Sequence, residues 1–309
     1  MVSDLKAELC WTLPLEWRKP AESAWARVNM RGRKLGCFLE GPSFDRDGTL
    51  YVVDLPFGRI FRISAAGKWH LHCDYDGWPN GLKIHRDGGI FIADYRRGIL
   101  QLAPGESVPE ELVTGLHSEG FRGCNDLFFS ANGELWFTDQ GQSGLHDQSG
   151  RLFRKPAEGV LAASLSGIPS PNGLVMNTDE TQIYLAVTRA NAIWRVPLME
   201  GGGVSKVGLF IQLSGGIAGP DGLALDAEGG LVVAHPGIGV WRFDRMGRPT
   251  HLAESPEGSV WTNVAFGGPD NQDLHIVDSL AGAIWRVRMP HPGKAMFSHA
   301  RLDAHVNQL

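Results

Sequence analysis

The chain alternates short apolar runs of four or five residues with polar turns and shows no long stretch of helical period. The runs include Leu50-Tyr-Val-Val-Asp54, Ile90-Phe-Ile-Ala-Asp94, Leu135-Trp-Phe-Thr-Asp139, Ile183-Tyr-Leu-Ala-Val187, Leu231-Val-Val-Ala234 and Leu274-His-Ile-Val-Asp278. Val, Ile, Phe, Tyr and Trp dominate them, as a pleated, buried surface prefers. Turns such as Asp45-Arg-Asp-Gly48, Asp87-Gly-Gly89 and Asn132-Gly-Glu134 come just before, and a further strand such as Ile60-Phe-Arg-Ile63, Ile193-Trp-Arg195 or Ile284-Trp-Arg286 follows. Outer strands are predicted at 69–74, 112–115, 160–164, 207–213 and 251–254.

This unit recurs six times. Each copy opens on a polar residue: Glu40, Asn80, Asn125, Asn172, Asp221 and Asn263, at separations of 40, 45, 47, 49 and 42 residues. That period fits a four-stranded propeller blade and exceeds a leucine-rich repeat. The prediction is an all-β, six-bladed β-propeller with antiparallel blades around a central, metal-containing tunnel. Residues 1–309 form one domain in this reading. Residues 1–39 are an N-terminal arm that takes part in ring closure, 40–289 hold the repeats, and 290–309 are a closing segment. One terminal segment is expected to supply an outer strand of the last blade, because an open ring exposes a sheet edge. Trp11, Trp17 and Trp25 of the arm are read as packing residues.

Composition narrows the picture. Net charge is −5 with no long basic run, which argues against nucleic acid as a partner. No apolar run approaches the length of a membrane span, and the N-terminus lacks a signal-peptide core, so the expected location is the cytoplasm. Cys10, Cys37, Cys73 and Cys124 share no metal or redox spacing and read as reduced thiols. The oligomeric state is not specified by the sequence.

In a propeller the first strand of each blade is innermost, so the six opening residues form a ring of side-chain oxygens. Carboxylate and amide oxygens suit a hard divalent cation, and two carboxylates balance its charge. Asn-Gly and Asp-Gly also make turns. That accounts for one or two copies, but not for Glu40, nor for Asn125 and Asn263, which no glycine follows. Ca²⁺ is the first candidate, with Mg²⁺, Mn²⁺, Zn²⁺ or Fe²⁺ as alternatives.

The motifs Glu40-Gly-Pro42, Asn125-Asp-Leu127 with Trp136-Phe-Thr-Asp139, Ser170-Pro-Asn-Gly-Leu174 and Pro220-Asp-Gly-Leu223, in this order, resemble the SMP-30/gluconolactonase/luciferin-regenerating family, within the calcium-dependent phosphotriesterase superfamily. The resemblance covers about Leu39 to Arg288. It implies metal ligation by Glu40, Asn172 and Asp221, with Asn125 as a fourth ligand or a substrate contact. Some lactonases of the family place an Arg two residues before that Asn; here the position is Gly123, with Arg122 one further back. Squid-type phosphotriesterases hold a second calcium with a His two residues after the sixth-unit Asn; here that position is Ala265, so no such second site is expected.

Loops after each second strand share the tunnel mouth in this reading. They bring Leu55–Phe57, Tyr95, Gln140, Gln142, Arg189, Asn191, His235 and Ser279, with Trp78, Arg122 and His146 nearby. Asn80, Asn125, Arg122, Arg189, His235 and Asn263 are the candidate substrate contacts. His70-Leu-His72-Cys73 places its histidines on one face of a strand and its thiol on the other, and so reads as an exposed outer strand rather than a metal cluster. The expected function is hydrolysis of a small lactone, of sugar type or related, by a metal-dependent enzyme, with Asp221 as general base and His235 as the alternative. A phosphotriesterase-like hydrolase, a strictosidine-synthase-like propeller and a non-catalytic binding platform are the competing readings. No nucleophile elbow, P-loop or dinucleotide fingerprint is present.

Overall fold

The computed structural model describes residues 2–300. Its strands form six blades, each starting at the axis and moving outward in antiparallel steps. Blade 1 runs through Leu39–Phe44, Leu50–Asp54, Arg59–Ile63 and Trp69–Asp74. Blade 2 spans Pro79 to Val113, blade 3 Cys124 to Ile168, and blade 4 Pro171 to Gln212. The innermost strands pack on one another in order, and that of blade 6 returns to blade 1. The ring is therefore closed.

Closure uses the N-terminus. Glu8–Thr12 pairs antiparallel with Ala283–Arg288 and becomes the outermost strand of blade 6. One blade departs from four strands: Ser3–Asp4 adds a fifth to blade 5, parallel to Pro249–Glu254. Residues 2–12 therefore clasp two blades. The far C-terminal stretch runs beneath the tunnel, where the Lys294 N–H donates to Leu225 O and the Ser298 hydroxyl to Phe44 O. Residues 301–309 of the expected closing segment lie outside the described residues.

Each sheet is covered on both faces by its neighbours, which is why the runs are continuously apolar instead of alternating. One core cluster joins Trp136 of blade 3, Leu185 of blade 4 and Val233 of blade 5. Another joins Val277 and Ile284 of blade 6 to Val52 and Phe61 of blade 1, with Leu13 of the arm. Each such side chain contributes about 1.5–3 kcal/mol on burial, and the contribution requires both adjacent blades.

The sequence pattern did not indicate the helix at Ala24–Asn29. It is capped by the Ser23 hydroxyl, which accepts from the Ala26 N–H at 3.1 Å. Trp25 packs on Phe38 with ring centroids 4.9 Å apart, and this contact holds the helix over the tunnel mouth. The outer strand Trp69–Asp74 is half-buried rather than exposed: His72 packs edge-on against Tyr51, and Cys73 faces the core.

Candidate metal and substrate site

The six opening residues do converge, and the backbone shows how. In blades 1, 2, 3, 4 and 6 the pairing of the innermost strand shifts register at the ring residue, as between Glu40 and Ser43 or Pro171 and Leu174. A bulge re-aims one side chain without breaking the blade. The glycines that follow ring residues are contact points rather than turns. A Cβ on Gly81 would lie 2.7 Å from Asn125 O, and one on Gly41 2.8 Å from Asn80 O. Gly173 and Gly222 meet Asp221 and Asn263 in the same way. Each glycine admits the next blade's ring residue.

A second repeated device holds the strand approaching the ring. The Asp54 carboxylate accepts the Phe38 N–H at 2.8 Å, Asp94 the Trp78 N–H at 2.7 Å, Asp139 the Gly123 N–H at 2.8 Å, and Asp278 the Val260 N–H at 3.1 Å. Buried Arg151 pairs with Asp139 at 2.6 Å, and Arg59 pairs with Asp54. These aspartates end the second strands and were visible in the repeat, but their role was not read. The sequence signal was their identical place in four copies.

The ring opens into a cavity of about 780 Å³. Glu40, Asn80, Asn125, Asn172 and Asp221 form its floor, and Gln140, Gln142, His146, Ser170 and Arg189 one wall. Trp25, Met30, Phe38, Leu55 and Leu280 form an apolar wall on the other side, partly supplied by the N-terminal helix. The Asn125 amide donates to Gln140 Oε1 at 3.0 Å, and the Gln140 amide to Ser170 Oγ at 2.9 Å. This relay fixes the amide orientation and leaves Asn125 Oδ1 as the end available to the axis.

Three predicted contacts fall elsewhere. Asn263 donates to Glu40 Oε2 at 3.1 Å and accepts the Val264 N–H at 2.9 Å, so both ends of its amide are engaged in holding Glu40. The Arg122 side chain is 43% exposed and turns outward, to Ser149 O and Glu119. His235 is 1% exposed and packs against the Gly215–Gly216 turn, outside the cavity. It pairs with Gly239 as Asp54 pairs with Arg59, and so occupies in blade 5 the position of the strand-end aspartates. Burial holds its imidazole below the usual range. Tyr95 meets the site through its hydroxyl, which accepts from Gln142 at 2.6 Å.

The ring is electrostatically loaded. Burial is the main cause that pushes Glu40 up to about 7, against hydrogen bonds from Thr262, Asn263 and the Gly41 N–H. Asp221 is held well above the carboxylate range, first by desolvation and then by Glu40 and Asp126. It keeps part of its surface open to the cavity. Two carboxyl groups that disfavour each other's charge, beside oriented amide oxygens and without thiolate or imidazole neighbours, fit a hard divalent cation. Glu40, Asn125, Asn172 and Asp221 are the residues that could hold it.

Fold and site together define a six-bladed propeller with an oxygen-lined axial centre at the floor of a cavity. Residues 38–280 match the SMP-30/gluconolactonase/LRE-like region, and the chain belongs to that family. It is 27% identical to lactonase drp35 of Staphylococcus aureus over 235 residues, covering 73% of this chain and 71% of the relative. A calcium-binding regucalcin from Agrobacterium tumefaciens superposes with a TM-score of 0.73 at 23% identity, covering 96% and 97% of the two chains. A gluconolactonase from Xanthomonas campestris gives 0.73 at 21% identity, covering 92% and 99%. Among the described residues, no helix is long and apolar enough to cross a membrane.

Proposed function

We propose that this protein is a divalent-metal-dependent lactonase that opens a small lactone to its hydroxy acid. The observation that carries the reading is the presence of Glu40 and Asp221 in one ring, with no salt bridge to either among the described residues and only the more distant Arg189 offsetting Asp221, at the floor of a cavity of about 780 Å³. Family membership and the likeness to lactonase drp35 support the reaction class. Glu40, Asn125, Asn172 and Asp221 would hold the cation, with Ca²⁺ favoured by an all-oxygen donor set and Mg²⁺, Mn²⁺, Zn²⁺ or Fe²⁺ as alternatives. When bound, a divalent cation polarises the lactone carbonyl and stabilises its developing negative charge.

The remaining roles belong to the chain. Asp221 takes the proton of the attacking water at a carboxylate oxygen as the water oxygen bonds to the carbonyl carbon. The ring C–O bond then breaks, and that proton passes to the leaving alkoxide. Asn80 and Arg189 orient the polar side of the substrate, and Trp25 and Phe38 exclude water from its other side. Asn263 keeps Glu40 aimed at the axis.

The test is turnover against metal concentration, on a panel of sugar and aromatic lactones. Asp221→Asn removes charge and basicity while retaining one coordinating oxygen. It should lower turnover by about 10²–10⁴-fold at saturating metal. Glu40→Gln should act mainly through weaker metal binding, so excess metal should recover much of its activity. Rescue of Asp221→Asn by metal would make Asp221 only a ligand. Full activity in both variants would remove the ring from the reaction.

A further inference from the structure

The cavity above the ring has two unlike sides. Blades 3 and 4 line it with amides, a hydroxyl, His146 and Arg189. Blades 5, 6 and 1, with the segments that lead into them, line it with Ile217, Val260, Leu280, Leu55 and Phe38 in turn, and the N-terminal helix and its cap add Trp25 and Met30. On this apolar arc the Thr262 hydroxyl is already engaged, by Ser279 Oγ at 2.5 Å and by Glu40. At the rim Ile217 and, from the blade 3 loop, Leu145 are 67% and 65% exposed, so carbon surface continues outward from the cavity. The helix that carries Trp25 is tied at its far end. Asn29 Oδ1 accepts from the Gln142 amide at 3.0 Å, and the Asn29 amide donates to Trp25 O at 3.1 Å. With Trp25 packed on Phe38, the helix therefore bridges the mouth from blade 1 to the blade 3 loop.

We propose that the substrate is a lactone carrying an apolar substituent on its ring, and that Trp25 is a specificity-determining residue that contacts this substituent. The inference rests on the lactonase reading above. The ester group is polar and turns to the ring and to the side of Arg189. The substituent then lies along the apolar arc, beneath the helix. Each methylene buried there raises affinity about fourfold. A polyhydroxylated lactone of the same size would press hydroxyl groups onto carbon surface, where they lose water and gain no partner. Each such hydroxyl costs on the order of tenfold. One wall thus favours the first class and rejects the second. The ties through Phe38 and Asn29 hold Trp25 in place before substrate arrives, so little ordering remains to oppose binding.

The experiment measures kcat/KM of the full chain, at saturating divalent metal, for γ-lactones whose alkyl side chain is lengthened stepwise from none to about six carbons, with gluconolactone beside them. In parallel, calorimetry follows binding of alkylcyclopentanones of the same shapes, which keep the carbonyl and the chain and cannot be hydrolysed. The parent should gain about two- to fourfold per methylene in both measurements, and should prefer the longest γ-lactone to gluconolactone by on the order of a hundredfold or more. Trp25→Ala should remove at least about half of the gain per methylene, and Trp25→Phe should restore most of it. Met30→Gln keeps the length and shape of its side chain, leaves the Trp25–Phe38 contact in place, and should lower the gain as well. Because each variant is read by its gain per methylene, a general loss of activity does not imitate the result. No gain with chain length in the parent overturns the proposal, and so does a gain that neither Trp25→Ala nor Met30→Gln lowers. If no lactone is hydrolysed while the ketones keep their gain, the lactonase reading fails and the apolar arc stands as a binding surface.

Discussion

Blades 1, 2, 3 and 6 differ from blades 4 and 5 in one repeated position. The first group ends its second strand in aspartate, whose carboxylate accepts an N–H from the segment leading to the ring. Blades 4 and 5 have Val187 and His235 there. Their leading segments are held by other bonds: the Thr188 N–H donates to Ser170 O, the Thr188 hydroxyl to Pro220 O at 2.7 Å, and the Asp221 N–H to Ala234 O. Ser170, Thr188, Arg189, Ile217 and Ala218, on or beside these segments, line the cavity. The unclamped blades thus line the cavity with the segments that a carboxylate would otherwise tie down, alongside loops of the clamped blades such as residues 140–146. A scaffold that repeats six times varies its mouth in part by leaving out the same clamp twice.

The largest effect should come from removing a clamp where it exists. Asp139→Ala leaves the buried Arg151 guanidinium with only the exposed Glu119 as a carboxylate partner and should cost about 3 kcal/mol in urea unfolding. A loss below about 1 kcal/mol would mean that the backbone alone holds the approach to Asn125.

Acid should come next, through the closing seam. His275 stacks on Trp11 of the N-terminal strand at 5.4 Å and meets Phe44 of blade 1 edge-on at 4.8 Å. Burial pulls its pKa from 6.5 to about 4. The unfolded chain therefore binds the proton first, so the stability that neutral His275 confers is complete above pH 6.5 and is lost as pH falls toward 4. That contribution is roughly 2–3 kcal/mol. His275→Phe should flatten the decline of unfolding free energy over this window relative to the parent. An unchanged slope would place the acid sensitivity elsewhere.

In the two unclamped blades the effects should be smaller. Thr188→Val removes the bond to Pro220 O beside Asp221 and should cost about 1–2 kcal/mol. It should also weaken cation binding in a calcium titration, a change that the same loss far from the ring would not cause. His235→Asn should leave kcat/KM within about twofold, since the residue is buried outside the cavity. A drop of a hundredfold would return His235 to the candidate bases.

The ring was legible in the sequence because one polar residue opens each of six apolar repeats, and such a position can only face the axis. The strand-end aspartates were equally regular, yet their partners are main-chain N–H groups that no sequence pattern displays. His235 was misplaced for the same reason: it looked like a mouth residue until its pairing with Gly239 put it in the clamp position. Asn-Gly and Asp-Gly carried local turn chemistry as the obvious meaning, whereas their glycines answer to a neighbouring blade some 40 residues away. The helix at Ala24–Asn29 spans six residues, too few to show a period, and depends on Trp25 meeting Phe38.

The outer strand Glu8–Thr12 has consequences for the order of events during synthesis. Its partner, Ala283–Arg288, is made some 270 residues later. At about 5–20 residues per second, the early segment waits roughly 15–55 s before its partner exists. Throughout that interval Leu9 and Trp11 belong to an unpaired strand, and the blades already made form an arc with two raw ends. The bonds that join residues 8–12 to blade 6 can therefore form only after almost all the rest of the propeller has been translated, and slowed elongation before Arg288 would lengthen the period in which the arc is open to a second copy of itself.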